Sequence, residues 1–215
     1  MKPEAAMSSS QSKPSHSKQA RFNRLYETGE TPWELNRPDK SLIQWVRDWP
    51  IPPCKALDIG CGTGFNAIWL SEQGFEVTGA DFSYLAVRQA EKNATKACRH
   101  IRFMVLDFLS GTAGDDTFMF LFDRGCFHSF DGPDQRAAFA KNAHGHLGEN
   151  GLWLSFLGNA DAPSTNEGPP TRSARDIVTA VEPWFEILSL TSAVFDSQRE
   201  TPARSWHCLM KKRSL

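Results

Sequence analysis

Ala56-Leu57-Asp58-Ile59-Gly60-Cys61-Gly62-Thr63-Gly64, with Asp81 seventeen residues after Gly64, is the stretch that decides the fold. Ala56 to Ile59 reads as a short buried strand. The glycines make a tight turn into a helix from about Phe65 to Gln73, and a second strand, Phe75 to Ala80, ends on Asp81. Glycines let backbone approach a ligand with no side chain in the way. An acid at the tip of the second strand can accept hydrogen bonds from both hydroxyls of a ribose. The unit is strand, turn, helix, strand, and it suits an adenosine.

The spacing narrows the ligand. A dinucleotide site uses G-x-G-x-x-G, whereas here the third glycine comes one position early and Phe65 stands where that motif needs glycine. No lysine follows the turn, which excludes a phosphate-cradling P-loop. The pattern resembles the first motif of class I S-adenosylmethionine (SAM) dependent methyltransferases. That resemblance implies SAM as cofactor and S-adenosylhomocysteine as product, with Asp58, Gly60, Gly62 and Gly64 at the amino-acid end of SAM and Asp81 on its ribose.

Outward from the turn, strands and helices alternate. Ser83 to about Lys96 is a helix, Ile101 to Leu106 a strand ending at Asp107, and Gly111 to Asp116 a turn. Phe118 to Phe122 is a continuous apolar run, as in a central strand covered on both faces. Gln135 to about Leu147 is helical until Gly148 and Gly151 break it, and Leu152 to Leu157 is the fifth strand. Residues 159–171 read as a long loop, Ser173 to Glu182 as a helix, and Phe185 to Phe195 with Ser205 to Lys211 as a closing antiparallel hairpin. Such alternation predicts an α/β, doubly wound, mostly parallel sheet with ligands at the strand carboxyl ends. The hairpin is similar to the end of the seven-stranded, Rossmann-like methyltransferase sheet.

Before the core, residues 1–20 are rich in Ser, Lys, Gln and Pro and are expected to be a disordered, dispensable tail, so that removing 1–19 leaves activity intact. Residues 21–54 form an N-terminal helical segment and 55–215 the core. Tyr26 and Pro32-Trp33-Glu34-Leu35 lie in that segment, Trp33 about twenty-five residues before the glycine turn. This resembles the thiopurine, thiol/halide and tellurite-resistance group of SAM methyltransferases, in which the segment folds over the cofactor as a lid. Trp33 alternatively serves as an aromatic staple holding the segment on the core. Asp123-Arg124-Gly125 is also similar to the thiopurine branch.

The remaining candidates sit at strand ends. Phe82 would flank the adenine, or be a core or cap residue. Asp107 and Phe108 correspond in the family to the acid that binds the adenine amino group and its neighbour against the ring; Asp107 as an N-cap is the alternative. In Asp123-Arg124-Gly125-Cys126-Phe127-His128, where the family holds the donor's tail and the acceptor, Phe127 would pack on the cofactor. Asp123 and His128 are the catalytic candidates, His128 as a base, since imidazole titrates near neutrality, or to orient substrate, with a structural histidine as the alternative. No activating partner for Cys126 is identifiable, so it reads as packing.

At 215 residues, net charge −1 and 40% apolar residues, the chain suits one domain with extensions and a full-sized core. The charge balance gives no electrostatic case for nucleic acid, and no apolar run reaches the ~20 residues of a membrane span. Five cysteines without C-x-x-C, and no signal-peptide core, imply free thiols in a reducing cytoplasm. His144-x-His146 falls at a helix end and is read as capping rather than metal binding, so no metal is expected. The resemblance implies methyl transfer to a small molecule, a thiol in particular. The alternatives are an O- or N-methyltransferase and a SAM-binding regulatory protein without turnover.

Overall fold

The structure, a computed structural model, describes residues 14–49, 51–161 and 169–214. Two helices come first, α1 (Pro14–Thr28) and α2 (Lys40–Asp48). The core follows as β1 (Lys55–Ile59), α3 (Phe65–Glu72), β2 (Glu76–Asp81), α4 (Tyr84–Lys96), β3 (Arg102–Val105), β4 (Phe118–Arg124), α5 (Pro133–His146), β5 (Leu147–Asn159), β6 (Thr171–Arg172), α6 (Ala174–Val181), β7 (Phe185–Val194) and β8 (Arg204–Lys212). The sheet order is β3-β2-β1-β4-β5-β8-β7. β1 to β5 run parallel, and β8 pairs antiparallel with both β5 and β7.

β4 lies at the middle of this order, and its apolar run is the reason. Phe118 and Leu121 face one core cluster and Phe120 and Phe122 the other, all almost fully buried. Burying a phenylalanine or a leucine contributes roughly 1.5–3 kcal/mol, so these four residues anchor both layers. α5 and α6 cover the first face through Phe139, Ala140, Ala143 and Ile177. α2 and α3 cover the second through Leu42, Ala67 and Leu70.

The sheet has eight strands against the seven expected. The extra strand is β6, two residues at the end of the expected 159–171 loop, which pair in parallel with Gly158 and Asn159. Gly158 permits this, since a Cβ there would stand 2.2 Å from the carbonyl oxygen of Pro170. β5 begins directly at Leu147, so Gly148 and Gly151 lie inside a strand that is longer than expected.

The expected tail also needs correction. Residues 14–20 belong to α1, whereas 1–13 lie outside the described residues. The helix carries few apolar residues, and tertiary contacts fix its place. Gln19 Nε2 donates to the Phe82 carbonyl (2.9 Å), Ser83 Oγ donates to Asn23 Oδ1 (2.6 Å), and Lys18 Nζ donates to the Ser129 carbonyl (2.7 Å). α1 therefore spans the carboxyl edge of the sheet from the end of β2 to the segment after β4.

Candidate active site

The glycine turn is held from two sides. The Gly60 and Cys61 N–H groups both donate to the Ala80 carbonyl, at 2.7 and 3.0 Å. Asp81 then accepts from Gly62 N–H (2.9 Å) and Ser83 N–H (2.8 Å), tying the turn to the start of α4. Gly62 has φ +54°, and a Cβ on it would lie 2.4 Å from Glu34 Oε1. Only glycine allows this approach.

Asp58 sits beneath the turn, 1% exposed, and its Oδ2 has no hydrogen-bond partner. Burial, then the neighbouring Asp81, Asp123 and Glu34, raise its pKa to about 8, against some help from the Ala67 N–H. Burial also raises Asp81 to about 6. An orphaned, buried carboxyl beside a second acid is costly in an isolated protein. It is the arrangement expected where a positively charged ligand belongs.

The N-terminal segment meets this turn through Glu34, a residue assigned no role of its own on sequence grounds. Glu34 accepts from Tyr26 Oη–H (3.0 Å), Thr63 N–H (3.2 Å) and Thr63 Oγ1–H. Trp33 Nε1–H donates to Tyr26 Oη (3.1 Å), and Phe22 packs edge-on against Trp33 at 5.7 Å between centroids. Burial and the adjacent Asp81 and Glu34 hold the Tyr26 hydroxyl neutral, well above its usual pKa.

Arg124, at the end of β4, fastens the same segment. It pairs with Asp39, the buried N-cap of α2, and donates to the Trp33 carbonyl (3.0 Å) and the Asp196 carbonyl (2.6 Å). Asp196 pairs in turn with Arg37 (Nη2 to Oδ1, 2.8 Å). The hydrogen bond from Arg37 first, then the Lys40 N–H and the charges of both residues, hold Asp196 down at about 2 despite its partial burial. Residues 33–39 and the β7–β8 loop thus meet over one arginine. The Asp123-Arg124-Gly125 stretch was visible in the sequence, but its partners lie 85 and 72 residues away.

Several candidates turn out to be structural. Asp123 is fully buried, and its oxygens accept from Cys126 N–H, Phe127 N–H (3.0 Å) and Trp153 Nε1–H (3.0 Å). It caps the turn after β4, and these three donors hold its carboxyl there. Phe127 is 1% exposed and packs on Phe139 and Trp153, so it belongs to the core. Phe108 likewise packs on Phe139, at 4.8 Å between ring centroids. Asp107 accepts from Leu109 N–H (3.1 Å), the capping alternative. Phe82 remains half-buried at the end of β2, beneath Gln19.

His128 is buried, and its Nδ1 accepts from Gly158 N–H (2.8 Å). The ring's proton is therefore on Nε2, which lies beside Gly125. Burial first, then the nearby Arg172, Arg124 and Lys18, lower its pKa to about 3. A lone pair already committed and a pKa this low rule out general-base work near neutrality. Cys126 touches the turn, a Gly60 Cβ being 2.9 Å from its own, and burial with Asp123 pushes its thiol well up. The two histidines of the H-x-H run have separate partners: His146 takes Ala113 N–H (2.9 Å), and His144 meets the Arg213 carbonyl.

Residues 56–151 match the family model described as a methyltransferase domain. The chain therefore carries a methyltransferase domain over these residues. Among curated relatives, a probable thiol methyltransferase 2 of Arabidopsis thaliana is 27% identical over 69% of this chain and 65% of that protein. Thiocyanate methyltransferase 1 of Brassica oleracea is 26% identical over 71% and 67%. The chain thus spans about two thirds of the length of these relatives. Solved methyltransferase-fold structures agree with the architecture. A protein from work on the conversion of a disulfide bond into a thioacetal group during echinomycin biosynthesis aligns with TM-score 0.78 and 24% identity, over 90% of this chain and 91% of that one. The Burkholderia thailandensis 1,6-didemethyltoxoflavin-N1-methyltransferase, solved with S-adenosylhomocysteine, aligns with TM-score 0.74 and 16% identity over 99% and 94%. The orphaned Asp58 Oδ2 and the glycine cradle under Glu34 fit a cationic, close-packed ligand such as SAM.

Proposed function

We propose that this methyltransferase transfers the methyl group of SAM to a small thiol. When bound, SAM supplies a methyl already activated on a sulfonium. In this reading the chain's own residues bind, align and exclude water. Gly60, Gly62 and Gly64 give backbone to the amino-acid end, with Asp58 providing negative charge there. Asp81 takes the ribose hydroxyls, exchanging its bonds to Gly62 and Ser83 for them in part. Phe82 borders the base. Residues 21–54 act as the lid, with Tyr26 and Trp33 forming its inner face, and 55–215 act as the core.

One observation favours a thiol over a phenol or amine. His128, the titratable side chain best placed after β4 to serve as a base, has its Nδ1 lone pair occupied by Gly158 N–H. The acceptor must then bring its own anion. A thiol with an unperturbed pKa near 8.5 does so, whereas a phenol near 10 does so far less. The names of the Arabidopsis and Brassica relatives lend support in the same direction.

The test is a panel of an aryl thiol, the matching phenol and the matching aniline, read as S-adenosylhomocysteine release. Turnover should be highest on the thiol, and its kcat/KM should rise with pH along the thiol's own ionisation. A preferred phenol or aniline would overturn the thiol. SAM binding with no turnover on acceptors of any class would favour a binding protein instead.

A further inference from the structure

We propose that Glu34, carried by the lid, makes the site prefer the cationic sulfonium cofactor over its neutral thioether product. The inference rests on the SAM reading above and concerns what the lid recognises.

Among the described residues of the lid, Glu34 is the acid that hydrogen-bonds the glycine turn. Three donors fix its carboxylate there: Tyr26 Oη–H, Thr63 N–H and Thr63 Oγ1–H. It joins Asp81 and the unpartnered, buried Asp58 around the same loop. Among the described residues, Glu34 forms no ion pair. Arg88 and Lys92 of α4 line the same groove of about 500 Å3 and are exposed. The lid therefore closes by bringing a carboxylate toward Asp81 and the largely neutral carboxyl of Asp58. Unlike charges attract across low-dielectric surroundings far more than across water, and like charges repel to the same degree.

The chemistry of the ligand supplies the balance. SAM carries a sulfonium, an ammonium and a carboxylate. After transfer the sulfonium is a neutral thioether, while the rest of the molecule is unchanged. Methyl transfer thus removes one positive charge from beneath a lid closed by an anion. The closed state is favoured before the chemical step and disfavoured after it, which ties lid opening to completion of the reaction. The carboxylate itself acts through charge rather than by touching the reacting atoms, so Glu34 is a specificity and positioning residue.

Titration calorimetry of the full chain and of Glu34→Gln tests this with three probes: SAM, S-adenosylhomocysteine and sinefungin, which bears an amine in place of the sulfonium centre. Gln keeps an acceptor oxygen for Tyr26 Oη–H and Thr63 N–H, turns an amide donor toward Thr63 Oγ1, and removes the charge. SAM and sinefungin should each bind about tenfold more weakly to Glu34→Gln, and S-adenosylhomocysteine less than about threefold. Glu34→Asp should restore the preference for the two cations. Thr63→Val, which frees one side of the carboxylate without neutralising it, should lower all three ligands by a like factor. Equal losses for the three probes in Glu34→Gln would reduce Glu34 to a structural contact and overturn the proposal with the cofactor reading intact. Failure of the unmodified chain to bind any of the three would overturn both.

Discussion

Replacing Asp58 by Asn should stabilise the ligand-free protein, by an amount that depends on pH in a defined way. Asp58 is buried and its pKa rises from 3.8 to about 8 on folding. An acid whose folded pKa lies above its unfolded value costs nothing below the unfolded value. The cost grows as pH rises between the two and is constant above the folded one. With those end points the cost is about 1.7 kcal/mol at pH 5 and about 4 kcal/mol at pH 7. Asn keeps the oxygen that faces Ala67 N–H and brings an amide that, like Oδ2, has no partner, which costs about 1–3 kcal/mol at either pH. The absolute gain mixes the two effects, but the change with pH does not. Urea unfolding of the ligand-free protein and of Asp58→Asn, at pH 5 and pH 7 and fixed ionic strength, should give a difference in stability that grows by about 2–3 kcal/mol toward pH 7. Asp81 and Asp123 also have raised pKa values, yet they are present in both proteins and cancel to first order. Parallel pH profiles would refute the reasoning, because they would mean that Asp58 ionises on folding as it does in the unfolded chain. With saturating SAM the unmodified protein should recover stability that Asp58→Asn does not, since binding stabilises by mass action.

His128→Ala should reduce kcat/KM on a thiol by less than about tenfold, or ~1.4 kcal/mol, whereas loss of a general base would cost 10²–10⁴-fold. The pH profile should show no limb from His128 between pH 5 and 7, because its pKa is about 3. Deleting residues 1–19 should weaken SAM binding several-fold, contrary to what composition implies, because Lys18 and Gln19 bridge Ser129 and Phe82. Deleting 1–36 should abolish binding, as it removes Tyr26, Trp33 and Glu34 from the turn; calorimetry on both truncations reads the two outcomes.

The fold was legible because its signals are local. The glycine spacing, the acid at the end of β2 and the apolar run of β4 each lie within a few residues, and each constrains backbone directly. The misassignments share one cause. Phe108, Asp123 and Phe127 all follow strand ends, where the next side chain turns either to the ligand or back under a helix, and period and composition are the same for both. What decided Phe108 and Phe127 was Phe139 of α5, and what decided Asp123 was the indole of Trp153, thirty residues on. The first turns of α1 were missed for the converse reason. Their residues have the composition of a solvated tail, and the contacts that order them run 63 to 111 residues along the chain.

Charge, more than proton transfer, organises the site that results. Glu34, Asp58 and Asp81 gather at the glycine turn, while His128 lies among Lys18, Arg124 and Arg172, which help keep it neutral. The acidic end suits a cation. The other end offers positive potential and a histidine with no lone pair to give. A displacement between a sulfonium and an anion needs alignment of the two charges and removal of water from between them, and it needs no proton to move in the transition state. On this layout the free energy that a general base would supply comes instead from the acceptor's own ionisation. The ranking of acceptors by rate should therefore follow the fraction ionised at the working pH more closely than it follows their size.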